Sequence, residues 1–192
     1  FMAASLFLRT SVFKCKLVGM RRIVYSVASS LDGFIAGPNG EYDWIMPDSS
    51  FDFAALWGRF DTLLMGRRTF EVALTRFELI KEMGKKIVVV STTLDSAPNP
   101  SITVVRSGIG EAVRALKADA NARKDIWLMG GGVLFRSLLD IGLVDIVELA
   151  VMPVMLGGGV PLLPAGSCYG LHIEAWEATA NGILRLQYSV IQ

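Results

Sequence analysis

From Met20 onward, short apolar runs rich in β-branched residues alternate with amphipathic segments. That pattern predicts an α/β sheet rather than separate helical and β parts. Residues 23–29 read as the first strand, and residues 31–50, rich in Gly, Pro and Asp, as a long loop. The apolar spacing predicts a helix over residues 51–60, with Asp48, Ser49 and Ser50 before it as candidate N-caps. Residues 62–65 form a strand that runs into Gly66-Arg67-Arg68-Thr69 and a short helix. Lys86–Val90 is a strand ending in Ser91-Thr92-Thr93, Ile102–Val105 is another, and residues 111–120 are a helix. The run 126–129 predicts a buried strand passing into Gly130-Gly131-Gly132 and a helix over residues 133–140. Ile146–Met152 is a further strand. Residues 171–179 and 183–191 predict an antiparallel hairpin around Asn181-Gly182, a favoured two-residue turn. No repeat or low-complexity linker interrupts this order, so residues 20–192 are expected to form one domain.

Composition narrows the class. Hydrophobic residues make up 52% of the chain and mean hydropathy is +0.46, which raises the question of a membrane. The apolar stretch 149–156 contains Pro153 and is far shorter than the roughly 20 residues of a spanning helix. The surplus suits strands buried on both faces by helices, and no membrane association is expected. Net charge is +1, but residues 1–19 carry Arg9, Lys14 and Lys16 and no acid, leaving 16 basic against 18 acidic residues. No basic stripe is left to follow a phosphate backbone, so nucleic acid is not an expected partner. Cys15, Cys168 and His172 are the only residues of their types, which argues against a zinc site of the Cys/His kind and against a disulfide framework. No metal is expected, and the compartment is read as reducing and cytoplasmic. Residues 1–19 loosely resemble a transit peptide, but Met20-Arg21-Arg22 leads straight into the first strand. They are therefore read as an N-terminal extension upstream of a start at Met20.

Two strand-to-helix junctions carry the candidate chemistry. The free N–H groups and positive dipole end of a helix N-terminus bind anions, and glycine lets a phosphate approach the backbone. Gly130-Gly131-Gly132 is one such junction. Gly66-Arg67-Arg68-Thr69 is the other, with two guanidiniums suited to bidentate phosphate contacts. Neither has the G-x-G-x-x-G spacing of a Rossmann fingerprint, and each taken singly could be only a tight turn. Together they fit a dinucleotide, and the arginines point to a phosphate on the adenosine ribose, hence NADPH over NADH.

The motifs Ser30-Leu31-Asp32-Gly33-Phe34-Ile35-Ala36, Asp61 to Thr69, Leu128 to Gly132 and Gly142-Leu143-Val144-Asp145 share their order and spacing with a known superfamily. With Pro153-Val154-Met155-Leu156-Gly157-Gly158-Gly159-Val160-Pro161-Leu162, the chain resembles the dihydrofolate reductase superfamily. Within it, the resemblance is to the family of the C-terminal reductase domain of the bifunctional riboflavin-biosynthesis deaminase–reductase. It implies a three-layer α/β fold with a mostly parallel central sheet flanked by helices and a C-terminal antiparallel hairpin. It also implies a homodimer, and part of the C-terminal half, including Ile146–Met152, is expected to contribute to the buried face. By resemblance, Ala28 and Ile35 flank the nicotinamide, while Gly66, Arg67, Arg68 and Thr69 hold the adenosine-side phosphates. Ser91 and Thr92 add hydroxyls to the ribose phosphate. Gly130, Gly131, Gly132, Val133 and Leu134 cradle the pyrophosphate and the nicotinamide side. Gly157-Gly158-Gly159 precedes Val160-Pro161, which is no helix start, and is read as a structural turn.

Reduction of a C=N bond needs a proton at nitrogen as well as a hydride, so a carboxyl with a raised pKa is a natural helper. Trp44-Ile45-Met46-Pro47-Asp48 resembles the Trp-x-Leu-Pro-x-acid segment of dihydrofolate reductases, with the acid one residue early. Asp48 is thus read either as the acid, against a wall of Trp44, Phe51 and Phe53, or as a helix cap. Asp32 is the second candidate acid, or a turn residue before Gly33. Trp44, Asp48 and Phe51 are the candidate substrate contacts. The apolar helix carrying Phe51, Phe53, Leu56, Trp57 and Phe60 has few basic residues, which speaks against a phosphorylated substrate. The expected activity is NADPH-dependent reduction of a pyrimidine- or pterin-like heterocycle, the nearest by resemblance being 5-amino-6-(5-phosphoribosylamino)uracil. Dihydrofolate reduction and a non-catalytic nucleotide-binding module remain open alternatives.

Overall fold

The computed structural model describes residues 20–48, 51–74, 84–94, 99 and 102–191. Ser49 and Ser50, two of the expected caps, lie outside them. The elements are β1 (Ile23–Ser30), β2 (Phe34–Ala36), α1 (Phe53–Gly58), β3 (Phe60–Gly66), α2 (Arg67–Leu74), β4 (Lys86–Val90) and β5 (Ile102–Val105). They continue with α3 (Ile109–Ala118), β6 (Asp125–Gly130), α4 (Gly132–Asp140), β7 (Ile146–Met152), β8 (Val160–Pro161), β9 (Leu171–Ala178) and β10 (Leu184–Val190).

Eight strands form one sheet in the order β5-β4-β3-β6-β1-β7-β10-β9. Neighbours from β5 to β7 run parallel, and β10 and β9 close the sheet antiparallel. The short pair β2–β8 stands apart from it. Strand alternation sorts the core into two layers. Ile23, Tyr25, Leu64, Val88, Ile126 and Leu128 pack on one face with Val113 of α3 and Leu134, Phe135 and Leu138 of α4. Val24, Leu63, Met65, Ile87, Val89 and Trp127 pack on the other with Leu56 of α1 and Phe70 of α2. Burial on both faces explains the unbroken apolar runs at 63–65, 87–90 and 126–129 in the central strands. No helix among the described residues is long and apolar enough to cross a membrane.

Several boundaries differ from the sequence expectation for local reasons. The first helix is capped by Asp52, whose carboxylate accepts the Ala55 N–H at 2.8 Å, and not by Asp48. It ends at Gly58 because Phe60 is wholly buried as the first residue of β3, and the Lys85 ammonium meets the carbonyls of Trp57 and Phe60 at 2.7 and 2.6 Å. Burial at that spot lowers the Lys85 pKa. The hairpin connection is longer than the expected two residues. Thr179 N–H donates to Ile183 O at 2.9 Å and Gly182 N–H to Thr179 O at 3.0 Å, with φ of 86° at Gly182. That is a three-residue loop closed by a glycine bulge. Finally, β7 is hydrogen-bonded on both sides, to β1 and β10, so any part it has in a paired face comes through its side chains and not through a free edge. The strand exposed along its whole length is β9.

Candidate active site

The expected phosphate junctions lie side by side at the C-terminal edge of the parallel strands. β3 and β6 are neighbours, with Met65 opposite Gly130, and Gly66 stands opposite Val90 at the end of β4. Thr69 links the junctions, its Oγ1 lying 3.5 Å from where a Cβ on Gly130 would stand. Gly130 has φ of 133°, a conformation that favours glycine. A Cβ on Gly131 would meet nothing within 4 Å but that same Thr69 oxygen, so the backbone there is open to a ligand. Gly132 is glycine for another reason: its Cβ would collide with the Pro161 carbonyl, so this position packs α4 against β8. The first N–H to bond back into α4 is that of Phe135, to Gly131 O at 3.1 Å. The N–H groups of Gly132, Val133 and Leu134 therefore have no intrahelical acceptor, as an anion cradle requires. Val133 projects, 74% exposed, whereas the Leu134 side chain is buried in the core, leaving only its backbone for a ligand.

On the adjoining strand end, Arg67 donates to Thr93 Oγ1 at 2.7 Å and to Glu71 Oε1 at 2.7 Å, which lays its guanidinium across the ends of β3 and β4. Arg68 and Thr92 are exposed. Ser91 is not: it is buried, and its hydroxyl oxygen accepts the N–H groups of Thr93 and Leu94 at 3.2 and 2.9 Å. It therefore shapes the turn, and Thr93, which the sequence reading passed over, is the hydroxyl beside Arg67. These features fit a phosphorylated dinucleotide: an open backbone at Gly130 and Gly131, two helix N-termini and two guanidiniums.

A cavity of about 780 Å³ opens on the α1 face of the sheet, beyond the part that α1 and α2 cover. Its floor is two rows of cross-strand partners. Ser26, Glu148, Gln187 and Ala175 form one row, and Ala28, Ala150, Arg185 and Glu177 the next. Phe51, Phe53, Leu56 and Trp127 add apolar walls, and Ile45, Met46, Pro47 and Asp48 line it as well. Ala28 and Phe51 are thus in the wall, as is Asp48, whereas Ile35 lies on β2 and is not. Trp44 is not in the wall either, because its indole N–H is turned to Glu41 O at 3.0 Å within its own loop.

The charged groups of this cavity were largely missed by sequence reasoning. Arg185 bonds Asp48 and, at 2.9 Å, Glu177, with its guanidinium 4.8 Å from the Phe51 ring centroid. Asp48 is therefore an ion-paired carboxylate, not the solitary acid against an apolar wall that the sequence suggested. Arg59 grips Glu148 with two parallel bonds of 3.0 and 2.6 Å. The one available signal was a lone acid inside the otherwise apolar strand Ile146–Met152. Asp32, the other candidate acid, accepts from Ser30 Oγ at 2.6 Å and from the N–H groups of Leu156 and Gly157 at 3.0 and 2.7 Å. Led by the Ser30 bond, these donors hold its pKa down to about 2. It clamps the β1–β2 turn to the β7–β8 loop and is poorly suited to carry a proton near neutral pH. That loop includes Gly157-Gly158-Gly159, where a Cβ on Gly159 would strike the Ala36 carbonyl.

Comparison with known proteins agrees with this architecture. Residues 21–184 match the family model described as the RibD C-terminal domain. The Bacillus subtilis (strain 168) protein called uncharacterized protein YyaP is 39% identical over 180 residues, 88% of this chain and 94% of that one. A putative riboflavin biosynthesis protein from Shewanella sp. PV-4 superposes with a TM-score of 0.76 at 28% identity, over 90% of this chain and all of that one. The Thermotoga maritima diaminohydroxyphosphoribosylaminopyrimidine deaminase/5-amino-6-(5-phosphoribosylamino)uracil reductase superposes with a TM-score of 0.68 at 15% identity, over 90% of this chain and 57% of that one. At that identity the likeness is one of fold.

Proposed function

The chain belongs to the RibD C-terminal domain family, and from that premise we propose that it is an NADPH-dependent reductase of a pyrimidine- or pterin-like heterocycle, acting in the cytoplasm as a homodimer. The observation that carries the reading is the position of Ala28. It is the residue expected beside the nicotinamide, and it lines the cavity in which a flat ring would lie. When bound, the cofactor supplies the hydride.

The chain's own residues bind and orient. Arg67, Arg68, Thr92 and Thr93 hold the ribose phosphate at the ends of β3 and β4. The backbone of Gly130, Gly131 and the first turn of α4 holds the pyrophosphate, with Thr69 between the two junctions. Ile35 lies on the nicotinamide side of the loop. In the cavity, Phe51 and Trp127 bound the ring and exclude water. Asp48, held by Arg185, accepts a ring N–H and orients the ring, and the proton that balances the hydride comes from solvent at the cavity mouth. Asp48, Glu148 and Glu177 outnumber Arg59 and Arg185, and both guanidiniums already contact carboxylates. This supports an uncharged substrate over a phosphorylated one. For the dimer, support comes from β9, exposed at every position, with Trp176 68% exposed.

The test is calorimetric titration with NADPH and NADH, followed by NADPH oxidation over a panel of dihydropterins and aminouracils. Preference for NADPH and turnover of a panel member are expected. Equal affinities with no oxidation would refute the proposal.

A further inference from the structure

We propose that Glu148 selects the substrate by accepting two parallel N–H bonds from an amidine-type edge, a ring N–H beside an exocyclic amine as in 2-aminopyrimidinones, and that Arg59 occupies this place in the ligand-free protein. This rests on the cavity being the substrate site.

Glu148 sits mid-strand on β7, between Ser26 of β1 and Gln187 of β10, in the inner row of the cavity floor. A carboxylate in an internal strand is costly unless its oxygens are bonded. Here a guanidinium meets both, Nη1 to Oε2 at 3.0 Å and Nη2 to Oε1 at 2.6 Å. Two coplanar N–H donors facing two carboxylate oxygens are also what an amidine edge presents. The Arg59 pair thus displays the donor geometry that the site accepts.

The two carboxylates of the cavity differ in how exchangeable their partners are. Arg59 follows α1 as its C-cap residue, and its side chain is 40% exposed against 14% for Glu148. It can leave for water while keeping the Phe60 ring, 5.1 Å from its guanidinium carbon. A half-solvated pair contributes little net stability, so its replacement by a ligand edge is nearly balanced. Arg185, by contrast, is tied to Asp48, to Glu177 and to the face of Phe51 together. Gln187 beside Glu148 offers an amide N–H to a neighbouring ring carbonyl. A uracil-type edge puts an oxygen where the amine would be, and two acceptors then face each other.

The test uses the full chain and ligand-observed NMR titration with 2-amino-6-methylpyrimidin-4-one and 6-methyluracil. The aminopyrimidinone is expected to bind about ten- to a hundredfold more tightly, the worth of one charge-assisted hydrogen bond. Glu148→Gln should erase that preference. Arg59→Ala, which removes the competing guanidinium without touching the carboxylate, should bind the aminopyrimidinone at least as tightly as the parent. Equal or better binding of the uracil, no binding of either ring, a preference that survives Glu148→Gln, or weaker binding by Arg59→Ala would each overturn the assignment. NADPH titration of the same preparations keeps the two readings apart. NADPH binding without the ring preference defeats the Glu148 assignment alone. The preference without NADPH binding defeats the reductase reading alone.

Discussion

Replacing Arg67 with alanine should weaken NADPH binding and leave NADH binding nearly unchanged. The Arg67 side chain is 48% exposed and its guanidinium engages Glu71 and Thr93 at 2.7 Å each, so a ribose phosphate must compete with Glu71 for it. A hydrogen bond to a charged group contributes about 1.5–3 kcal/mol, and half exposure to solvent favours the lower end. Turning away from Glu71 costs about 0.3–0.5 kcal/mol, the worth of an exposed i,i+4 pair. The remaining ~1–2 kcal/mol corresponds to roughly 5- to 30-fold in NADPH Kd. Glu71→Gln carries the opposite sign, because it releases the guanidinium, and should tighten NADPH binding by about twofold. Isothermal titration of the parent and of the Arg67→Ala, Arg68→Ala and Glu71→Gln variants with both nucleotides measures the ratio directly. If the NADPH-to-NADH ratio is the same in the parent and in an Arg67→Ala/Arg68→Ala double variant, the phosphate does not lie at the β3–α2 junction and the argument is wrong.

Four further outcomes are expected. Asp48→Asn should leave NADPH affinity intact but lower turnover of a cognate heterocycle by about ten- to a hundredfold, the worth of one hydrogen bond to a charged group; wild-type turnover would remove Asp48 from the site. Asp32 has a folded pKa of about 2 against an ordinary 3.8, so its contribution is present above pH 3.8 and is lost as pH falls toward 2. Asp32→Asn should therefore flatten the acid limb of a Tm-against-pH profile in that window, which an unchanged limb would contradict. The Tyr25 hydroxyl is buried with no hydrogen-bond partner among the described residues, so Tyr25→Phe should raise stability by about 1 kcal/mol in urea titration, and a clear loss would reveal a hidden partner. Light scattering should find a dimer at micromolar concentration, and Trp176→Glu on β9 should shift it to monomer; a monomeric parent would end that proposal.

What the sequence made legible was whatever a strand buried on both faces imposes. The run 126–129 reads as a buried strand because it carries no charged or turn-forming residue, and β6 lies between β3 and β1. The two junctions were legible for the same reason: a helix following a buried strand without a spacer leaves its N-terminus at the sheet edge. Errors arose where one residue answers to tertiary partners. Phe60 matches the apolar period of the preceding helix, yet it is buried in β3. Ser91 reads as an available hydroxyl until two N–H groups of its own turn are found on it.

The cavity was nearly invisible in the sequence, and the reason is geometric. Its floor comes from β1, β7, β10 and β9, and its charged pairs join residues far apart in the chain, Arg59 to Glu148 and Asp48 to Arg185. Periodicity reports which face a residue takes, not which strand stands beside it. In β10 the alternation Leu184-Arg185-Leu186-Gln187 reads as an ordinary strand with one wet face. Only the antiparallel pairing with β7 turns that face into the floor of the cavity, with Gln187 opposite Glu148 and Arg185 opposite Ala150. The same pairing changes the meaning of Asp48. Read locally, it is an acid near three aromatic rings. Next to β10 it becomes the partner of Arg185, and one of those rings, Phe51, lies against the same guanidinium. A carboxylate so fixed serves better to orient a ring than to store a proton. In the proposed reading, Asp48 in the wall and Glu148 in the floor of this pocket accept N–H groups of the ligand, while the cofactor's phosphates are held farther along the same C-terminal edge of the parallel strands, at the ends of β3, β4 and β6.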